Sequence, residues 1–315
     1  MTLPAASSPP ASPARRLATF LDLIKFAHSV FALPFALIAT FWAFRTLGIR
    51  PFSGEAFARL GLILACMIFA RTFAMTFNRL IDRTFDAANP RTAKRPSVTG
   101  AVPVPFMVST LAVTATLFLL ATGCFYIFFH NALPLILALP VLAWLAGYSL
   151  TKRFTALCHF WLGLSLGLAP LSAFIAIAGW PARSFLDPHV LPMLLLAAGV
   201  TTWVAGFDIL YALQDEAIDR AQHLHSIPAA LGRRKALFIS RLCHVLTVAA
   251  FLAVGITGHF HLLYYLGFAA AALLLLLEQS LVSEGDISKI NIAFMTANGL
   301  IGLLFGALAI ADTLL

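Results

Sequence analysis

Three polar side chains follow one another at helical spacing in the stretch FNRLIDRTFD, residues 77–86. Asn78, Asp82 and Asp86 are four residues apart, so on an α-helix they lie on one face and form a polar stripe. The apolar run ILACMIFARTFAMTF leads into this stretch. The stripe is therefore expected where a membrane-spanning helix ends, and these three residues are called the first stripe.

A second stripe occurs in GFDILYALQDEAID, residues 206–219. Asp208, Tyr211, Asp215 and Asp219 are offset by three, four and four residues, which again places them on one helical face. It also follows a long apolar run. The two stripes together are a matched pair of acidic helix ends.

Aspartates at these positions need compensation, because an ionised carboxylate at mid-bilayer costs roughly 3 kcal/mol on insertion scales. Carboxylate and amide oxygens are ligands that Mg²⁺ accepts, and Mg²⁺ completes its coordination with water and substrate phosphate. Two stripes therefore indicate two Mg²⁺ ions holding one diphosphate. The alternative is that the acids pair with Arg79, Arg83 and Arg220 at solvated helix ends. Two matched stripes at one depth favour the metal site.

The elements that must position these residues are membrane helices. Of the 315 residues, 61% are hydrophobic and 11% charged, with a mean hydropathy of +0.92, a composition that excludes an ordinary soluble domain. The chain offers about nine runs of the length that a bilayer requires. The predicted spans are 26–45, 57–78, 104–127, 132–150, 157–178, 190–214, 236–257, 262–281 and 291–314.

The predicted fold is therefore an all-α, polytopic membrane bundle. Residues 1–16, rich in Pro, Ser and Ala, are expected to be a disordered cytoplasmic segment, and residues 17–315 a single membrane domain. The four cysteines lie in or beside apolar spans without close pairing, which indicates small core residues.

The distribution of basic residues predicts the orientation. The net charge of +8 does not indicate nucleic-acid binding, because the lysines and arginines are interspersed among the spans and concentrate in alternate loops. A cytoplasmic N-terminus and an outer C-terminus follow, in the inner (plasma) membrane. Spans two and six then run in the same direction, so both stripes lie at the cytoplasmic face, where the site opens.

Two further segments favour an anionic ligand. YSLTKRFT, residues 148–155, places Tyr148 and Lys152 one helical turn apart with Arg153 next, and Lys and Arg both bind phosphate. The loop 88–100 is basic and has the length of a lid. The alternatives are an ordinary basic membrane anchor and a plain solvated loop.

The motifs NxxxDxxxD in span two, YxxxK closing span four, and DxxxD in span six preceded by GFDxxY resemble the UbiA superfamily of intramembrane aromatic prenyltransferases. The likeness runs from about Lys25 to the C-terminal INIAFMTANG. It implies nine helices around a central cavity that opens to the cytoplasm, with a side portal for an isoprenoid chain.

The resemblance also implies roles for single residues. Asn78, Asp82, Asp86, Asp215 and Asp219 would hold Mg²⁺ and diphosphate. Lys152, Arg91 and Tyr148 would contact the diphosphate, Tyr211 would lie near the reacting carbon, and Asp208 would line the substrate site.

Within the family, KFAHSVFALPFAL, FNRLIDRTFD and YALQDEAID with HSIPAALG are most similar to the bacterial quinone-pathway branch. That branch implies transfer from a polyprenyl diphosphate, within membrane lipid, to 4-hydroxybenzoate or to 1,4-dihydroxy-6-naphthoate, for ubiquinone or menaquinone synthesis. Both acceptors carry a carboxylate. His28, Lys25 and Arg71 are the candidates to bind it.

Two other interpretations stay open at this point. A cation-coupled secondary transporter also uses membrane carboxylates, but it predicts ionisable groups near the bilayer midplane on broken helices. A related prenyltransferase acting on a tetrapyrrole or haem would share the acidic motifs. Clustering of the acids at one interface beside basic loops favours diphosphate chemistry over transport.

Overall fold

A computed structural model of the chain describes residues 13–24, 31–180 and 187–315. The described residues fold into helices, without a β-strand among them. The helices are α1 (Pro13–Leu23), α2 (Leu33–Leu47), α3 (Gly54–Ile81), α4 (Arg83–Ala88), α5 (Pro96–Thr99), α6 (Val104–Phe129), α7 (Leu133–Thr151), α8 (Cys158–Ala178), α9 (Leu191–Ala212), α10 (Glu216–Ala221), α11 (Ile227–Leu231), α12 (Arg233–Thr257), α13 (Leu262–Ser280), α14 (Ile290–Ile292) and α15 (Asn298–Thr313).

Within the described ranges, eight helical segments are long and apolar enough to cross a membrane. The shorter apolar helix α2 has 15 residues and overlaps the first predicted span, 26–45. The other predicted spans agree with α3, α6, α7, α8, α9, α12, α13 and the segment ending with α15, to within a few residues. The prediction of an all-α, multi-pass membrane bundle is confirmed. Its orientation stays a prediction.

Helix α9 lies at the centre of the bundle, between α8 and α12. Gly163 and Gly167 of α8 allow the close approach of α9. A Cβ atom would lie 2.2 Å from the Thr201 carbonyl oxygen at Gly163, and 2.2 Å from Thr201 Oγ1 at Gly167. Small residues one turn apart permit such contact between membrane helices. This contact fixes α9, and with it the second stripe, against α8.

The core beside α9 is aromatic. Phe35, Trp203, Phe251, Phe305 and Tyr264 are fully buried or nearly so and belong to one cluster. Their rings stack or meet edge to face, with Phe251 and Phe305 centroids 4.8 Å apart. Offset-stacked and edge-to-face contacts between aromatic rings stabilise a fold by more than the burial of the apolar surface of the rings alone. The core therefore holds α2, α9, α12, α13 and α15 together beneath the site.

Helix α1 begins at Pro13, so it overlaps the segment 1–16 that the sequence predicts to be disordered. Residues 1–12 lie outside the described residues. The helix has an apolar face: Phe20 and Leu23 pack with Leu80, Val102 and Met107. This packing explains why α1 forms. A short helix gains most of its stability from burying its apolar face, and little from its own composition.

Both stripes lie where a membrane helix is interrupted. Helix α3 ends at Ile81 and α4 begins at Arg83, with Asp82 between them at φ −90° and ψ 6°. A 3₁₀ turn, Leu213–Asp215, separates α9 from α10. The sequence predicts uninterrupted helical stripes, and the structure corrects this. The backbone N–H of Asp82 still donates to the carbonyl of Asn78 (3.0 Å), so the four-residue spacing is kept.

Candidate active site

A cavity of about 530 Å³ lies between the helices and includes both stripes. The end of the bundle at which the stripes lie is called the acidic end. The cavity is lined by every described residue of the predicted site, namely Asn78, Asp82, Asp86, Arg91, Tyr148, Lys152, Asp208, Tyr211, Asp215 and Asp219. The candidates His28 and Lys25 lie outside the described residues.

In the first stripe, Asn78 and Asp82 contact each other directly. Asn78 Nδ2 donates to Asp82 Oδ2 at 2.8 Å, and Arg153 Nη2 lies 3.3 Å from Asp82 Oδ1. Burial raises the pKa of the Asp82 carboxyl above its ordinary value, and the hydrogen bond from Arg153 opposes that shift. The Asp82 side chain thus lies at the cavity wall with the guanidinium group of Arg153 beside it.

Asp86 is buried and contacts two arginines. Arg95 Nη1 lies 2.7 Å from Asp86 Oδ1, and Arg79 Nη1 lies 4.0 Å from Asp86 Oδ2. Thr92 Oγ1 also donates to the backbone carbonyl of Asp86 at 2.9 Å. These contacts fold the segment after α4 back onto the first stripe.

Asp215 connects the second stripe to that same segment. Asn89 Nδ2 donates to Asp215 Oδ1 at 3.0 Å, and so does Arg91 Nε at 3.0 Å, while Arg91 Nη2 donates to Oδ2. Arg91 Nη1 also donates to the Tyr211 hydroxyl at 3.2 Å. Burial lowers the pKa of Arg91, but the hydrogen bond and charge of Asp215 outweigh it and hold that pKa above its ordinary value. Arg91 therefore joins the two halves of the site.

Asp219 is buried against Lys152 of the predicted phosphate-binding segment. Lys152 Nζ lies 2.7 Å from Asp219 Oδ1, and Ser226 Oγ donates to Asp219 Oδ2 at 2.7 Å. The carbonyl of Lys152 accepts a hydrogen bond from the His225 backbone N–H at 2.7 Å. Lys152 is held from both ends, with its ammonium group at the cavity.

Asp208 is held by a histidine. His159 Nδ1 lies 2.7 Å from Asp208 Oδ2, and His159 Nε2 accepts the backbone N–H of Ile227 at 3.2 Å. Because a backbone amide can only donate, the proton of a neutral His159 must be on Nδ1, directed at Asp208. The imidazole thus orients the carboxylate and leaves its other oxygen to the cavity.

The inner wall of the cavity is aromatic. Phe31, Phe207, Tyr211 and Phe294 all line it. The Phe294 ring lies 4.2 Å from the Tyr211 ring, 5.4 Å from that of Phe207 and 5.6 Å from that of Phe31, between centroids. We call these four residues the aromatic wall. Ring faces attract cations, so the wall can stabilise positive charge that develops on a bound ligand.

Arg71 also lines the cavity. It precedes Asn78 by two helical turns on α3, and is therefore about 10 Å further from the acidic end. Met75, Leu162 and Leu166 line the cavity as well. The guanidinium group of Arg71 suits a carboxylate, with which a guanidinium forms two parallel hydrogen bonds.

The donor set fits Mg²⁺ bound together with phosphate. Among the described residues, no three His, Cys, Asp or Glu side chains converge on one metal position. Mg²⁺ is usually held by one or two carboxylates plus water and substrate phosphate. The first stripe offers Asp82 and Asp86, and the second offers Asp215 and Asp219, because Asp208 is bonded to His159. The cavity lining also holds similar numbers of carboxylates and basic side chains. A polyanion is therefore best balanced there when divalent cations enter with it.

The alternative interpretation of the sequence pairs the acids of the stripes with Arg79, Arg83 and Arg220, and the structure gives two of these arginines other partners. Arg83 donates to the Ser97 carbonyl at 2.9 Å, and Arg220 pairs with Glu216. Arg79 contacts an acid of the stripes, Asp86.

Sequence reasoning missed two side chains. Asn89 bonds Asp215 across 126 positions of the chain, and His159 bonds Asp208 across 49. The position of Asn89, three residues after Asp86, could have indicated that it belongs to the site. No comparable spacing marks His159, since a lone histidine on an apolar helix is usually a packing residue.

Comparison with known proteins identifies the fold and the class of this site. The model of the UbiA prenyltransferase family matches residues 32–300. The 4-hydroxybenzoate octaprenyltransferase of Aromatoleum aromaticum is 28% identical over 309 residues, which cover 96% of each chain. The apo structure of a UbiA homolog from Aeropyrum pernix K1 superposes with a TM-score of 0.77 at 31% identity, covering 90% of this chain and 98% of that one.

A third comparison concerns the fold alone. The structure of a UbiA homolog from Archaeoglobus fulgidus bound to DMAPP and Mg²⁺ has a TM-score of 0.67 at 18% identity and covers 94% of this chain and 99% of that one. That homolog therefore binds a prenyl diphosphate and Mg²⁺ within the same fold.

Proposed function

Because this chain belongs to the UbiA prenyltransferase family, we propose that it transfers a polyprenyl group from a polyprenyl diphosphate to an aromatic carboxylic acid of the 4-hydroxybenzoate type, with Mg²⁺. One observation carries the proposal. Within a single cavity, the acids of both stripes alternate with basic side chains, and an aromatic wall and a deeper arginine complete the lining. The acids with Mg²⁺ and the basic side chains suit the diphosphate, the aromatic wall suits the allylic carbon of the donor, and Arg71 suits the carboxylate of the acceptor.

The diphosphate binds at the acidic end. Mg²⁺ would be held by Asn78, Asp82 and Asp86 on one side and by Asp215 and Asp219 on the other, and when bound it neutralises the leaving diphosphate. Arg91 and Lys152 each contact an acid of the second stripe. They can turn to the diphosphate while the metal takes over the acids, so no carboxylate is left without a cation.

The aromatic wall receives the allylic end of the donor. Tyr211 is placed between the two regions, because its hydroxyl accepts from Arg91 and its ring contacts Phe294. As the bond from carbon to diphosphate oxygen breaks, positive charge develops on the allylic carbon. The ring faces of the wall stabilise that charge and exclude water from it.

The acceptor enters beside the wall with its carboxylate toward Arg71. Its ring carbon attacks the allylic carbon, and the ring then loses a proton. His159 bonds one carboxylate oxygen of Asp208, so the other oxygen is suited to contact the acceptor and to take a proton. Tyr148 lines the cavity in the next turn before Lys152 and would contact the diphosphate.

The test is a transfer assay in membranes that contain the protein, with Mg²⁺, a polyprenyl diphosphate, and either 4-hydroxybenzoate or 1,4-dihydroxy-6-naphthoate in parallel. Prenylated 4-hydroxybenzoate is the expected product. Product from the naphthoate alone would reassign the acceptor. Product from neither would reject the proposed substrate class. Arg71→Leu should raise the KM for the acceptor more than the KM for the donor.

A further inference from the structure

A group of polar side chains is buried behind the aromatic wall and does not line the cavity. It consists of Glu278 of α13, Asn298 of α15 and Trp203 of α9, each with 0% exposure. Asn298 Nδ2 donates to Glu278 Oε1 at 2.8 Å, and Trp203 Nε1 donates to Asn298 Oδ1 at 2.6 Å. An ionisable side chain inside a membrane span is costly and commonly marks a functional position. We call these three residues the buried triad.

The hydrogen bonds of the triad fix the orientation of the Asn298 amide. The indole N–H of Trp203 can only donate, so it must face the amide oxygen. The amide nitrogen then faces Glu278. It also lies 3.3 Å from the Ala293 carbonyl oxygen and 3.2 Å from the Phe294 carbonyl oxygen. One side chain thus joins the triad to the backbone of two preceding residues.

Those two residues begin a π-helical turn, Ala293–Ala297, between α14 and α15. Turns of this type are rare, and they occur often at functional sites. Here the turn places Phe294 in the aromatic wall, 4.2 Å from the Tyr211 ring. Trp203 supports the same wall from beneath, with its ring 5.3 Å from that of Phe207 and 6.3 Å from that of Phe31.

We propose that Asn298, oriented by Glu278 and Trp203, is a positioning residue that sets the place of Phe294 in the aromatic wall and so shields the allylic carbon from water during transfer. The inference rests on the proposed function. The triad acts through the π-helical turn and touches neither substrate. Its loss should let Phe294 move away from Tyr211, which admits water to the reacting carbon.

Water that reaches the allylic carbon forms a C–O bond there as the bond to the diphosphate breaks, and a proton is released. The product is a prenyl alcohol in place of the prenylated acceptor. The ratio of these two products therefore reports directly how well the aromatic wall excludes water from the allylic carbon. A change that merely lowers the amount of folded protein reduces both products and leaves their ratio as it was.

The experiment measures that ratio for Asn298→Leu, Phe294→Leu and the double variant, with Mg²⁺, a polyprenyl diphosphate and the acceptor that the wild type uses. Each single substitution should raise the share of prenyl alcohol about tenfold, as expected for the loss of one aromatic contact. The double variant should equal the single ones within about twofold, because residues that act as one unit are not additive. For Asn298→Leu, which removes a side chain outside the cavity lining, the affinity for the donor with Mg²⁺ should change less than about twofold.

Two further substitutions separate positioning from general loss of structure. Glu278→Gln keeps an oxygen that can accept from Asn298 and should retain the wild-type ratio, whereas Glu278→Leu should behave as Asn298→Leu. The control is Gln279→Leu. Gln279 is the neighbouring residue on α13, and it bonds Ser240 and His244 of α12 instead. Its substitution should leave the product ratio unchanged.

If Asn298→Leu is not recovered from membranes, Trp203→Phe serves as the second variant, because it keeps an aromatic ring at this position and removes the indole N–H that orients Asn298. An unchanged ratio in the recovered variant overturns the inference, as do additive effects of Asn298→Leu and Phe294→Leu. A wild type that forms no prenylated product would reject the proposed function instead. The two failures are therefore distinct.

Discussion

Arg91→Lys tests the connection between the two halves of the site while keeping the positive charge. The guanidinium group of Arg91 contacts both oxygens of Asp215 and the Tyr211 hydroxyl. A lysine ammonium is a point charge and cannot reproduce that fork. The substitution thus separates geometry from charge.

The size of the effect follows from the hydrogen bonds that lysine cannot form to the diphosphate, once the three donors of Arg91 have turned to it from Asp215 and Tyr211. Lysine retains about one of the three. The Arg91 side chain is 33% exposed, so solvent screening reduces each missing bond to roughly 0.5–1 kcal/mol. A total of about 1–2 kcal/mol corresponds to a decrease in kcat/KM for the donor of roughly 5- to 30-fold.

The assay is steady-state transfer at varied concentrations of the polyprenyl diphosphate. Arg83→Lys is the matched control, since Arg83 lies in the neighbouring helix α4 and donates to the Ser97 carbonyl without lining the cavity. It should stay within about twofold of the wild type, the margin for a surface substitution. Wild-type kcat/KM in both Arg91→Lys and Arg91→Ala would show that Arg91 does not join the two halves of the site.

Further predictions concern stability and the metal. His159→Leu removes the partners of the Asp208 carboxylate and the Ile227 N–H, so the free energy of unfolding should fall by about 2–5 kcal/mol, seen as a lower midpoint in detergent, and transfer should fall with it. Gly163→Ala forces a Cβ to within 2.2 Å of a carbonyl oxygen of α9 and should lower that midpoint, whereas Gly123→Ala, with no heavy atom within 4 Å of the added Cβ, should not; equal midpoints would contradict the described contact. EDTA should abolish transfer and excess Mg²⁺ restore it, and transfer that persists in EDTA would exclude the metal.

The sequence is sufficient to predict the membrane spans and the residues that form the two stripes. Spans follow from the length and apolarity that a bilayer demands, and this signal is strong in a chain of this composition. The i, i+4 spacing of Asn78, Asp82 and Asp86 depends only on local geometry, and it survives the break at Asp82 because one backbone hydrogen bond bridges it. The break itself has no comparable signal in the sequence.

Contacts between distant residues could not be predicted in the same way. Two arginines follow the first stripe before the next span, and nothing in their spacing indicates that Arg91 contacts Asp215, 124 positions later, while Arg95 contacts Asp86. The π-helical turn likewise depends on Asn298, whose partners come from α9 and α13. Tertiary packing determines these contacts and the place of the turn, because local sequence propensities do not distinguish between the alternatives.

Both stripes are proposed to serve one Mg²⁺-dependent diphosphate site. The most direct measurement compares transfer by Asp82→Asn, Asp215→Asn and Asp286→Asn, each of which removes one charge with little change in shape. Asp286 is an exposed acid outside the cavity and provides the control. We expect a loss of at least about 100-fold for each of the first two variants, in the range for removing one electrostatic contact at a reacting group, and wild-type transfer for the third. Wild-type transfer by either Asp82→Asn or Asp215→Asn, in folded protein, would contradict a diphosphate site shared by the two stripes.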